Sequence, residues 1–298
     1  MRTRHSLFFA CLIGLLAAAP PLFADAGART LGRFALIIGS NDGGHTRVKL
    51  KYAASDATAF SHVLTEMGGL DQARQLVLLD PTYDEVIAGF ARINSLIRNA
   101  ADNHTRNEFI VYYSGHSDEQ GLLIRGRRLP YLDLRELIDA VPADVRIAII
   151  DSCASGVFIR SKGGTKQPAF LVDSSNDMRG YAFLTSSSDT EAAQESDRIG
   201  ASFFTHHLIG GLRGAADVTR DGLVTLNEVY HYAFNETLAV TEKTRFGPQH
   251  PSYDIQLTGT GDLVLTDLRQ TTSGLAFEAK IQGRIFIRDT HGRLLVEL

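Results

Sequence analysis

The chain has 298 residues, 44% of them hydrophobic and 21% charged, with a formal net charge of -4 at pH 7. That length suits one sizeable packed core, with room for a small appendage. Mild acidity gives no electrostatic footprint for nucleic acid or for an anionic membrane.

The first residues carry the three parts of an export signal: Arg2 and Arg4, an apolar run from Leu7 to Ala19, and small residues around Ala24-Asp25-Ala26. Residues 1–26 are therefore expected to be a cleavable signal peptide. A spanning anchor is the rival reading, since the run is nearly long enough, but Pro20-Pro21 interrupts it. Cleavage would leave a soluble, exported chain, periplasmic or secreted, with no membrane partner. Losing two arginines and one aspartate would take the net charge from -4 to -5. Cys11 goes with the signal and Cys153 stays as a single thiol, so stability rests on packing without a disulfide.

Phe34–Gly39 is a short apolar run closed by glycine, as expected of a buried strand of parallel type. Tyr52–Met67 reads as a helix with Ala53, Phe60, Val63 and Leu64 on one face. A second strand follows at Gln75–Asp80, stopped by Pro81, and a second helix at Asp84–Arg98. The third strand, 109–113, leads to His116, and a hairpin turned at Gly126 comes after it. Leu132–Ala140 is a third helix, and the fourth strand, 145–150, leads to Cys153. Beyond a polar stretch at 161–179, a strand at 181–185 and helices at 202–212 and 226–237 are expected. Short β segments finish the chain, Gly283–Arg288 being the clearest, so 269–298 reads as a small β appendage to a domain spanning 33–268.

This alternation predicts an α/β/α sandwich around a mostly parallel sheet. Ligands of such sheets bind beyond the carboxyl ends of the strands, and both His116 and Cys153 fall at that edge. A thiol and an imidazole delivered by two core strands are the parts of a nucleophile and its acid-base partner. The competing readings are a buried structural cysteine and a solvated histidine. Neither G-x-S-x-G nor C-x-x-C is present, which argues against a serine hydrolase and a thiol-disulfide enzyme.

Tyr112-Tyr-Ser-Gly-His116 followed by Asp151-Ser-Cys-Ala-Ser-Gly156 resembles the catalytic signature of caspase-like cysteine peptidases, closest to their bacterial metacaspase-like branch. Leu50–Phe60 with Asp56, Ser186–Glu191 and Phe203-Phe-Thr205 agree in order and spacing, so the likeness runs over roughly residues 33 to 265. It implies a protein or peptide substrate, a Cys153/His116 dyad, an oxyanion hole from the backbone N–H groups of Ser117 and Cys153, and no cofactor for the chemistry. It also places Asp56 and Asp151 in an acidic pocket for Arg or Lys before the scissile bond. Physically, two carboxylates beside the nucleophile bind a cation and reject an acid; as ordinary residues they would be a turn aspartate and a solvated helix residue. The family usually has glycine where Ser117 stands. If that position needs a left-handed backbone, serine costs roughly 1 kcal/mol or more. The alternative is therefore a caspase-fold binding or scaffolding module with decayed catalysis.

Three further features complete the reading. Ser186 and Ser187 are expected to line the substrate groove through backbone groups, or to be a polar turn. Arg160, Lys162, Lys166 and Arg179 offer sites for self-cleavage, or are ordinary loop charges. Asp217, Asp221, Gly222 and Glu228 match positions 1, 5, 6 and 12 of a calcium loop, with Thr219 in place of the usual Asp or Asn at position 3. Its competitor is a helix-helix turn bent at Gly222.

Overall fold

The computed structural model describes residues 31–100, 104, 106–160, 178–188, 190–259, 261–271, 283, 285–288, 290 and 294–297. The signal segment and most of the basic stretch proposed for self-cleavage lie outside these residues.

Six strands form the main sheet: β1 (Leu31–Ser40), β2 (Gln75–Leu79), β3 (Arg106–Asp118), β6 (Val145–Asp151), β7 (Arg179–Thr185) and β11 (Ser252–Thr258). Their order is β11-β7-β6-β3-β1-β2. All neighbouring pairs are parallel except β11 with β7. The hairpin β4 (Gly121–Ile124) and β5 (Arg127–Pro130) continues from the end of β3. Arg125 and Gly126 turn it with φ of 47° and 83°, the doubly positive pair that matches strand twist in a two-residue loop.

Strand alternation divides the core in two. Ala35, Ile37, Ile110, Tyr112, Ile147 and Ile149 face α1 (Ala53–Glu66), α5 (Phe203–Gly210) and α6 (Leu226–Thr241). Phe34, Leu36, Ile38, Phe109, Val111 and Ile150 face α2 (Tyr83–Ala100), α3 (Tyr131–Asp139) and α4 (Gly156–Arg160). Burial on both faces is why these strands read as continuous apolar runs. Phe60 of α1 stacks on Tyr112 with centroids 4.4 Å apart, fixing α1 over the strand that leads to His116.

The smaller pieces are two-stranded: β8 (Glu195–Ser196) with β9 (Ala201–Ser202), β10 (Leu223–Thr225) with β12 (Val264–Asp267), and β13 (Phe286–Arg288) with β14 (Leu294–Glu297). The last pair belongs to the expected appendage, and β14 lies against α5. A π-helical turn, Gly211–Ala215, extends α5. Among the described residues no helix is long and apolar enough to cross a membrane.

Candidate active site

The register of β3 and β6 brings the two chemical residues to one place. Ser114 pairs with Asp151 at the end of their parallel ladder. His116 and Cys153 each stand two residues further on, at the carboxyl edge of the sheet.

The loop from Asn41 to Tyr52 crosses beside the histidine. Gly43 makes this possible, because a Cβ there would sit 2.5 Å from the His116 ring. His116 Nε2 lies 2.9 Å from the Val48 carbonyl oxygen. A carbonyl only accepts, so Nε2 carries the proton and the neutral ring keeps its lone pair on Nδ1. Burial pushes the His116 pKa below its ordinary value and Arg47 adds to this, against the Val48 carbonyl and Asp42. The imidazole is accordingly neutral at physiological pH. Nothing in the sequence of loop 41–52 marks Val48, since its backbone does the work.

Cys153 is a free, half-buried thiol on the turn after β6. Burial pushes its pKa up, opposed by a hydrogen bond from the Ala193 N–H and by Arg47. Ala154 has φ of 50°, a left-handed conformation that costs an ordinary residue about 1 kcal/mol. Its N–H donates to the Glu191 carbonyl at 2.9 Å. The Glu191 carboxylate in turn accepts from His250 N–H at 2.8 Å and lies 2.7 Å from His250 Nδ1. The segment after β7 is thus tied both to the nucleophile turn and to the loop before β11.

Ser117 corrects one expectation. It lies inside β3 opposite Leu122 and is not among the residues with positive φ, so the left-handed cost does not arise. Its hydroxyl, 1% exposed, donates to the Cys153 carbonyl.

Ser186 and Ser187 correct another. Both are fully buried. Ser186 Oγ accepts from Ser152 N–H at 3.1 Å, and Ser187 Oγ donates to the Ser152 carbonyl at 2.9 Å. The Ser186 N–H bonds Ile150 O at 3.0 Å, and its carbonyl takes Gln249 Nε2 at 2.8 Å. With its backbone groups taken, Ser186 braces the turn carrying Cys153 instead of lining a groove, and the Ser187 hydroxyl braces the same turn.

Asp56 and Asp151 do come together, joined by Ser202. The Ser202 N–H donates to Asp56 Oδ2 at 3.1 Å, and its hydroxyl donates to Asp151 Oδ2. Thr205 Oγ1 donates to the same Asp151 oxygen at 2.6 Å, so the Tyr112 hydroxyl, 2.6 Å away, must be the donor to Thr205. Asp151 Oδ1 is buried without a hydrogen-bond partner. Each aspartate is only 3% exposed. Burial holds both carboxyls above their usual pKa, and the Asp151 charge adds to this for Asp56. Asp56 also borders a cleft of 480 Å³ between α1 and α5. Ser202 escaped the sequence reading, although a serine before Phe203-Phe-Thr205 is a legible cap: its Oγ accepts from the Thr205 N–H at 3.3 Å.

One link spans both loops around His116 and Cys153. Asn41 Oδ1 accepts from the Ala54 N–H in the first turn of α1 at 3.3 Å. Just before the helix, the Glu195 carboxylate accepts from Lys51 and Tyr52 N–H at 3.1 Å each. This fastens the end of the Val48 loop to the strand following Ala193.

The expected calcium loop lies between the π-helical turn and α6. Gly222 bends the chain with φ of 80°, and the loop's own donors occupy its acids. Asp217 Oδ2 accepts from Gly222 N–H at 3.1 Å, and Asp221 Oδ1 from Leu223 N–H at 2.8 Å. Glu228 closes a capping box with Thr225 through Oε2 and accepts from Thr219 through Oε1. Among the described residues no three acidic, histidine or cysteine side chains are gathered to hold a metal. Without an ion this turn is held by its own hydrogen bonds, and calcium binding there is left as a proposal. Glu228→Ala is expected to cost about 1 kcal/mol in urea unfolding through the lost cap. If the loop takes calcium, the melting temperature of the wild-type protein is expected to be higher in calcium than in chelator.

A sheet covered on both faces, with a thiol and a neutral imidazole at its carboxyl edge, is the arrangement expected of a cysteine peptidase. The caspase-domain family model matches residues 32–259, so the chain belongs to that family. A crystal structure of caspase-1 from Spodoptera frugiperda superposes with a TM-score of 0.59 at 14% identity, covering 80% of this chain and 94% of that one; at that identity the likeness shows the shared fold. No curated protein matches the sequence.

Proposed function

We propose that the chain is an exported endopeptidase that cuts after Arg or Lys through a Cys153/His116 dyad. The observation that carries this is the Nε2–H bond to the Val48 carbonyl, which leaves His116 Nδ1 as a base at the strand end beside Cys153. Because burial keeps the thiol protonated, the nucleophile is made on demand. Nδ1 takes the Sγ proton as Sγ bonds the substrate carbonyl carbon. The resulting imidazolium gives that proton to the leaving nitrogen as the C–N bond breaks. Water, deprotonated by the same nitrogen, then splits the thioester and restores the thiol. The N–H groups of Ser117 and Cys153 would hold the oxyanion, each such donor being worth roughly 3 kcal/mol in comparable acyl-transfer sites.

Specificity would rest on the buried aspartates. A guanidinium or ammonium entering their pocket would meet the unpartnered Asp151 Oδ1 and offset the burial that raises both carboxyl pKa values. This acidic pair also favours the metacaspase-like branch. The scaffold alternative rested on a strained Ser117, and the β conformation of that residue removes its ground. Export rests on the Arg2–Ala26 pattern alone.

The test is a fluorogenic peptide panel varied only before the scissile bond. Arg and Lys peptides are expected to be cut and Asp peptides left intact; preference for Asp would sink the assignment.

A further inference from the structure

The Cys153–Ala154 peptide unit is held from both sides. Its carbonyl oxygen, on Cys153, accepts the Ser117 hydroxyl. Its N–H, on Ala154, donates to the Glu191 carbonyl at 2.9 Å. Ala154 keeps a left-handed φ of 50° directly after the nucleophile. A non-glycine residue persists in that conformation only where its surroundings impose it. The two hydrogen bonds are such an imposition, since together they fix the plane from which both the nucleophile and Ala154 depart.

The clamp also reaches across the sheet edge. The β3/β6 ladder stops at Ser114 and Asp151, so no ladder bond joins the strand ends that carry His116 and Cys153. Ser117, the residue after the histidine, bonds the carbonyl of the cysteine itself. Glycine at this position has no group that can do so.

We propose that Ser117 is a positioning residue whose hydroxyl locks the nucleophile turn and sets the placement of Cys153 relative to His116. Its side chain does not touch the substrate. It acts through the Cys153–Ala154 plane, whose orientation also decides whether the Cys153 sulfur stays within reach of the Ala193 N–H. The activity readout rests on the proposed peptidase function, and a second readout does not.

Ser117→Ala and Ser117→Gly are compared with wild type. Both are expected to lower kcat about three- to tenfold on the best peptide, the worth of one net hydrogen bond, with KM within about twofold. The pH profile of Cys153 alkylation by iodoacetamide, measured without substrate, is expected to move to higher pH in both variants, because a loosened turn holds the sulfur less closely to the Ala193 N–H that favours its thiolate. A role confined to stability would lower the melting temperature and move neither readout. The proposal is overturned if both variants keep the wild-type kcat and alkylation profile, or if Ser117→Gly is as fast as wild type or faster. Should wild type hydrolyse no peptide, the alkylation profile alone decides the role of Ser117, and the silence counts against the peptidase reading instead.

Discussion

Cys153→Ala is expected to reduce kcat/KM on the best Arg peptide at least about ten-thousandfold, and His116→Ala to do nearly the same. The two losses should not add, because neither residue has a task without the other. A buried thiol whose pKa lies above its usual value is a poor nucleophile until Nδ1 takes its proton, and the imidazole has no proton to move without the thiol. The double variant should therefore be about as slow as Cys153→Ala alone. A double variant slower than either single one by the product of their effects would mean independent contributions and would break the dyad. Folding is not expected to suffer much, since both side chains are part-exposed at the sheet edge; matched melting curves check this.

The sequence made the shared position of His116 and Cys153 legible for a structural reason. Both residues follow apolar runs of parallel type, and adjacency of those runs in the sheet aligns their ends, so motif order carried real geometry. The same runs located the central strands to within a few residues. Strand β11 was missed. It is an antiparallel edge strand, Ser252–Thr258, in which polar residues alternate with Tyr253, Ile255 and Leu257, and it carries no continuous apolar signal. Contacts made by backbone atoms left no residue signature either. The Val48 carbonyl orients His116 across 68 positions, and Glu195 holds the Tyr52 N–H before α1 across 143. Ser186 and Ser187 were placed in the substrate groove because small polar residues after a strand are ambiguous. Only their complete burial shows that they support the turn.

The acidic pair allows a prediction in which activity and stability move in opposite directions. Asp56 and Asp151 have folded-state pKa values above their unfolded ones, chiefly through burial. A group of that kind contributes stability that is fully present below the unfolded carboxylate pKa, near 3.9 for Asp, and is lost as pH rises through the folded value. The substrate-free protein is thus expected to lose stability as pH is raised above the unfolded carboxylate pKa. Asn at position 151 mimics the protonated acid: its oxygen still accepts from Ser202 and Thr205, and its amide occupies the place of the partnerless Oδ1. Asp151→Asn should therefore melt higher than wild type at pH 8, and its melting temperature should vary less with pH. The same change removes the charge that a substrate guanidinium would meet. Truncating one side of a buried charge pair costs roughly 2–5 kcal/mol, so kcat/KM on Arg peptides should fall about thirtyfold to several thousandfold, with little change for neutral side chains at that position. A ratio of Arg to neutral cleavage unchanged in Asp151→Asn would remove this aspartate from the specificity pocket. A variant less stable than wild type at pH 8 would mean instead that neighbouring groups stabilise the ionised Asp151, leaving no need for a substrate cation.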